Sequence, residues 1–158
     1  MSDMVTIKFI EEVGPGRFHE AQDILEMEPE PELFNKLIKV PMKFAREIPR
    51  PVLLEVRGRC MQPTIFHGNY VLVDCDNKTL QGHGIFVFEF PKNHRNKLSG
   101  LQIKRVNEIT DKYVMLGTDN PGFPNYLVFY DALKVMGKVR AIARPTDDPE
   151  SCEWFTVN

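Results

Sequence analysis

From Pro51 onward the chain is a succession of short apolar runs. They are Leu53–Val56, Tyr70–Val73, Ile85–Phe90, Leu101–Ile103, Tyr113–Leu116, Tyr126–Phe129 and Val135–Ala143. Gly, Pro, Asn and Asp fall between them at intervals of roughly ten residues. Runs of this length, rich in β-branched and aromatic residues, predict strands, and their spacing predicts a mainly β fold of curved antiparallel sheets, barrel-like or sandwiched. Before Pro51 the pattern differs. Val5–Ile10 alternates imperfectly and predicts a first strand, closed by Gly14-Pro15-Gly16. Residues 17–33 are acidic and carry Pro29 and Pro31, which predicts an arm with a short helical turn near Gln22–Met27. Phe34–Val40 and Lys43–Glu47 each predict a helical turn, with Pro41 between them. The expected organisation is a strand and acidic arm over 1–50, a β core over 51–145 and a tail over 146–158.

Composition narrows the class. A chain of 158 residues with 42% hydrophobic content is the size of one domain with an extended arm. At this length folding buries roughly 70% of the unfolded surface, so a core needs no disulfide or metal support. The net charge of -2 gives no general attraction to nucleic acid. The basic patch Lys92–Lys97 sits between strand-like runs, with no aromatic platform, and reads as a solvated loop. Cys60, Cys75 and Cys152 are odd in number and widely spaced, with no CxxC, against a disulfide framework or zinc site. His19, His67, His83 and His94 show no metal-ligand spacing, so neither metal nor cofactor is expected. No apolar run reaches about 18 residues and no signal pattern opens the chain, so a reduced, cytoplasmic protein is expected, with no membrane partner.

Chemistry concentrates in Gly58-Arg59-Cys60-Met61-Gln62-Pro63-Thr64-Ile65, a turn between two apolar runs, and in Lys104, inside Gln102-Ile103-Lys104-Arg105-Val106. A thiol and a lysine are among the few pairings capable of nucleophilic chemistry without histidine. Gly58 suits a sharp strand-to-turn junction, and Pro63 suits the first turn of a short helix whose N–H groups would favour a thiolate at Cys60. Each residue also has a plain structural reading: Cys60 as a small core side chain, Lys104 pointing to water. His67 has two as well, a partner for Cys60 or a surface turn residue. Asp119-Asn120-Pro121-Gly122 reads as a turn, Trp154 as packing against the body, and Cys75 as structural or exposed between Asp74 and Asp76.

The segments around these residues resemble a known family. Val56 to Ile65, followed by His67-Gly68-Asn69 and the apolar run to Asp74, is similar to the strand, Gly-Asp-Ser-Met-x-Pro-Thr-Ile and Asp-Gly-Asp signature of the LexA and phage CI-type repressors. Gln102 to Val106 resembles the strand that carries their general-base lysine. Met115 to Pro124 resembles their Leu-x-Ser-x-Asn-Pro-x-Tyr-Pro segment, and Val135 to Val139 their closing Gly-x-Val strand. The match covers roughly residues 52–143, with the four segments in order.

The resemblance implies a compact β domain that dimerises and cleaves its own chain, a serine attacking an arm peptide with a neutral lysine as base. Carried onto this sequence, Cys60 is the nucleophile, Lys104 the base, and the backbone N–H groups of Arg59 and Cys60 the oxyanion donors. Val13–Gly14 is the scissile bond. The implied partners are a second copy of the chain, activated RecA or an antirepressor protein. DNA would be reached only through a helix-turn-helix domain, of which residues 1–50 show no pattern. The sequence departs from the family at Cys60 for Ser, Arg59 for Asp, His67 and Asn69 for both acids of Asp-Gly-Asp, and Val13 for a small residue. Two readings stand at this point: a self-cleaving repressor domain of the SOS or phage type, and a non-catalytic protein-binding module on the same fold. A papain-like hydrolase lacks its histidine.

Overall fold

The computed structural model describes residues 4–8, 11–13, 37–91, 100–148 and 151–157. The predicted helical turn near 22–27 and the Lys92–Lys97 loop lie outside them. The fold is mainly β. In chain order the strands are β1 (Met4–Lys8), β2 (Glu11–Val13), β3 (Leu37–Pro41), β4 (Pro51–Val56), β5 (Tyr70–Asp74), β6 (Ile85–Phe90), β7 (Gly100–Ile109), β8 (Tyr113–Gly117), β9 (Tyr126–Phe129), β10 (Lys134–Pro145) and β11 (Cys152–Thr156). A short α-helix, α1 (Met42–Glu47), follows β3 directly. No helix among the described residues is long and apolar enough to cross a membrane.

Nine strands form one sheet in the order β2-β4-β5-β10-β6-β7-β8-β9, with β11 added to β10. The pairing is antiparallel throughout except at β2–β4, where Val13 lies beside Val56 in parallel register. β10 is the axis. Its residues 138–143 pair with β5, while residues 134–138 pair with β6 on the opposite edge; β11 then continues along the β6 edge at 141–145. Register shifts between Val135 and Gly137 and between Val139 and Ala141 are bulges that bend the strand and raise its twist. Bulge and twist explain how the sheet curls enough for β2, at one end of the strand order, to come within 8 Å of β7, Cα to Cα.

The apolar runs are buried on both faces. On β5, Val71 and Val73 join a core with Val52, Leu54, Ile85, Val87, Leu101 and Ile103, while Tyr70 and Leu72 face Phe44, Ile48 and Leu53. Phe86 and Phe88, both fully buried, anchor a third core against Val106, Val114, Leu116 and Val128. Full burial of such side chains stabilises by roughly 2–3 kcal/mol each. This two-sided burial is why β5 and β6 read as continuous apolar runs rather than alternating ones.

Three expectations change. Leu37–Pro41 is a strand, not a helical turn, because its backbone pairs with β1 from Met4↔Pro41 to Lys8↔Leu37, a partner remote in sequence. Pro41 lacks an N–H and closes that strand, and its φ of -54° suits entry into α1. The run predicted as one strand over 5–10 begins as β1, while β2 pairs with a different partner, β4. The tail supplies β11, whose Trp154 ring lies 6.0 Å from that of Phe44.

Candidate active site

β4 ends at Val56 and the chain turns sharply. Gly58 has φ +102°, a backbone region that glycine enters freely and other residues avoid, so the turn needs it. Its N–H donates to His67 Nδ1 at 3.0 Å, and Gly68 N–H donates to the Val56 carbonyl, closing residues 57–67 into a loop. Asn69, buried, accepts the Phe66 N–H on Oδ1 at 2.9 Å. The two residues that depart from the Asp-Gly-Asp pattern therefore both brace this loop. His67 is a turn residue and is not a partner of Cys60. No α-helix begins at Cys60. Met61–Ile65 is a run of turns with a cis Gln62–Pro63 bond, in which only Ile65 N–H reaches back four residues, to Met61 O. The expected helix N-terminus is thus replaced by a tight loop.

Cys60 stands half-buried at the edge of β7. β8 covers that edge only from Arg105 onward, leaving the stretch around Ile103 and Lys104 open to the loop. Lys104 is 3% exposed. Its Nζ lies 3.4 Å from Cys60 Sγ, 3.3 Å from Gln102 Oε1 and 3.3 Å from the Ile103 carbonyl oxygen. Gln102 is two residues away on the same strand face, which is why its amide reaches the amine. The three contacts have a consequence for proton transfer. A neutral amine gives its two N–H groups to the two oxygens and turns its lone pair toward a thiol proton; an ammonium keeps those bonds and points its third N–H at a thiolate. The same geometry serves both states, so the proton can pass between sulfur and nitrogen without rearrangement.

A second network ties the loop to β7. Arg105 donates to Asp119 through Nε and Nη2, each at 2.7 Å, a bidentate fork, and Thr64 Oγ1 donates to the same carboxylate. Burial pushes the Asp119 carboxyl upward, but the hydrogen bonds from Arg105 and Thr64 and the Arg105 charge outweigh it and hold the carboxyl below its ordinary range. The Asp119 hydrogen bond in turn holds the Arg105 guanidinium above its ordinary range. Asn120 completes the brace: its N–H donates to the Cys60 carbonyl and its Nδ2 to the Arg59 carbonyl, both at 3.0 Å. The middle of β7, at Arg105, and the loop after β4, at Arg59–Cys60, are thereby both tied to Asp119–Asn120.

The structure brings Cys60 and Lys104 together. Comparison with protein-family models then matches residues 9–140 to the Peptidase S24-like family. The chain belongs to that family. No curated protein matches the chain. The family is that of the LexA/CI-type C-terminal domains, so the resemblance carried by the four sequence segments is correct, and the curved β fold agrees with it. In this S24-like domain Val13 ends β2 beside Val56, the last residue of β4, and Cys60 follows Val56 by four residues in the loop. Gly14 lies outside the described residues. In the sequence Arg105, Asp119 and Asn120 look like strand and turn residues only. The signal that could have found them was the pair of opposite charges placed one in each of two matched segments.

Of the other thiols, Cys75 is 3% exposed and burial, more than the nearby Asp74 and Asp76 carboxylates, pushes it up to about 11 against the opposing charge of Lys78. Burial raises Cys152 to about 11 as well.

Proposed function

We propose that this S24-like chain is the self-cleaving regulatory domain of a phage or bacterial LexA/CI-type repressor, cutting its own Val13–Gly14 bond with Cys60 as nucleophile and Lys104 as base. The observation that carries the reading is the 3.4 Å contact between Cys60 Sγ and a lysine amine shielded from water. Two features of the arm support it. β2 lies between β4 and β7, the two strands that deliver the pair, and its last residue is Val13. An extended strand presents a peptide carbonyl edge-on, the pose acyl transfer requires.

In the reaction Cys60 gives its proton to Lys104 and Sγ attacks the Val13 carbonyl carbon. Among the described residues no acceptor takes the Arg59 or Cys60 backbone N–H, which suits both to the tetrahedral oxyanion; one such donor is worth about 10²–10³ in rate. Lys104 then protonates the Gly14 nitrogen, leaving a thioester at Val13 that water hydrolyses with the amine again as base. Proton transfer of this kind contributes roughly 10²–10⁴-fold. In an intact repressor the cut would separate DNA-binding heads from a dimerising domain and weaken operator binding, which depends on both heads engaging together. Activated RecA or an antirepressor would act by stabilising the arm in the groove.

The test is intact mass after incubation at about pH 10, where an ordinary lysine amine is partly neutral. The expected products are residues 1–13 and 14–158, their masses summing to the chain plus one water. Their absence from wild type, with and without activated RecA, would sink the proposal.

A further inference from the structure

The family position that holds serine holds cysteine here, and sulfur has a chemistry that a hydroxyl lacks. We infer that Cys60 and Lys104 form a reversible sulfur–nitrogen cross-link when a hydroperoxide oxidises Cys60, switching the site off until a thiol reduces it. The inference shares its residue pair with the proposed self-cleavage but does not depend on cleavage taking place.

The chemistry balances in two steps. Hydrogen peroxide transfers one oxygen to Cys60 Sγ: the S–O bond forms, the O–O bond breaks, and the second oxygen leaves as water. Sulfur is oxidised by two electrons and the peroxide reduced by two, giving a sulfenic acid. The Lys104 Nζ lone pair then attacks Sγ: the S–N bond forms, the S–O bond breaks, and hydroxide departs as water with a proton from the amine. No further oxidant is used. A thiol reverses the link by attacking Sγ, returning the amine to Lys104 and leaving a mixed disulfide that a second thiol clears.

Three observations favour this route over the usual fates of a sulfenic acid. Nζ is already 3.4 Å from Sγ and is held there by Gln102 and the Ile103 carbonyl, so the attacking atom needs no search. Cys60 is half-exposed while Lys104 is buried, so a small peroxide reaches sulfur and the amine that follows is shielded from competing water. The remaining thiols are poor targets. Cys75 is buried, and both Cys75 and Cys152 are held as thiols well past neutral pH, whereas oxidation follows thiolate character.

The experiment treats the full reduced chain with stoichiometric hydrogen peroxide and reads intact mass and cross-linked peptides before and after dithiothreitol. The expected product is lighter than the reduced chain by two hydrogen atoms, with Cys60 joined to Lys104, and dithiothreitol restores the starting mass. Lys104→Arg should instead gain oxygen at Cys60. The inference is overturned in wild type, whatever the variant does, by an unmodified Cys60, by oxygen gain with Lys104 free, or by a two-hydrogen loss that maps to a disulfide with Cys75 or Cys152. A chain that never cuts itself still reports on the link, so the two ideas fail separately.

Discussion

Cys60 and Cys75 are the same side chain in two settings fifteen residues apart, and the contrast shows how little residue type decides. Cys75 follows β5, packs into the central core with Val73 and Met136, and has its thiol pushed up to about 11 by burial. Cys60 follows β4, half-exposed on a loop pinned by Gly58, His67 and Asn120, with an amine beside its sulfur. One is a small apolar side chain; the other has a buried amine at 3.4 Å and a strand of its own chain nearby. Placement at the open edge of β7 makes the difference.

The sharpest way to break the comparison is to remove the pair. Cys60→Ala should abolish fragmentation at Val13–Gly14, and Lys104→Met should slow it by at least about 10²-fold, followed as fragment yield by intact mass. Cys75→Ala should leave the cut position unchanged. Next comes the brace. Asp119→Ala leaves a partly buried guanidinium without its fork and Thr64 without its acceptor, and should slow cleavage about 10-fold while lowering Tm; Asp119→Glu should recover part of both.

The brace also carries a pH signature. The Asp119 carboxyl is held below its ordinary value in the fold, so its contribution to stability is present above the unfolded value of about 3.8 and is lost as pH falls through the folded one. Asp119→Asn should flatten that acid limb in denaturant titrations. On the alkaline side the sign reverses for Cys75. Its folded thiol sits at about 11 against 9.0 unfolded, so stability is full below 9 and declines as pH rises to about 11. Cys75→Ala should remove that decline.

Smaller effects separate the sheet from the loop. A Cβ at Gly137 would meet the Asp74 carbonyl oxygen at 2.6 Å, where β10, bulged against β6, passes the end of β5. Gly137→Ala should cost about 2 kcal/mol of unfolding free energy on the Cys75 side of the sheet while leaving Cys60 reactivity intact. His67→Ala removes the acceptor of the Gly58 N–H and should cost about 1 kcal/mol, read by the same titration.

Much of this was legible in the sequence, for a physical reason. Strands β4 to β10 are buried on both faces or packed on one, so their apolar runs show directly as Leu53–Val56, Tyr70–Val73 and Ile85–Phe90. The Cys60–Lys104 pair was legible through the segments around it, each shaped by a local need such as the positive φ at Gly58. Features set by distant partners were not. Leu37–Pro41 is a strand only because β1 lies beside it, and β11 forms only because β10 extends past β6. Arg105 and Asp119 are fourteen residues apart and give no periodic signal; only the folded loop brings the guanidinium to the carboxylate.

The central claim is that Lys104 works on Cys60, and the rate of Cys60 alkylation by iodoacetamide tests it without reference to the arm. In wild type at neutral pH, Cys60 should react at least about 100-fold faster than Cys75, read by peptide mapping over time. Lys104→Met should slow Cys60 by about 10-fold or more, while exposure alone keeps it ahead of the buried Cys75. A Lys104→Met chain whose Cys60 reacts as fast as wild type would show the amine to be a bystander and contradict the claim.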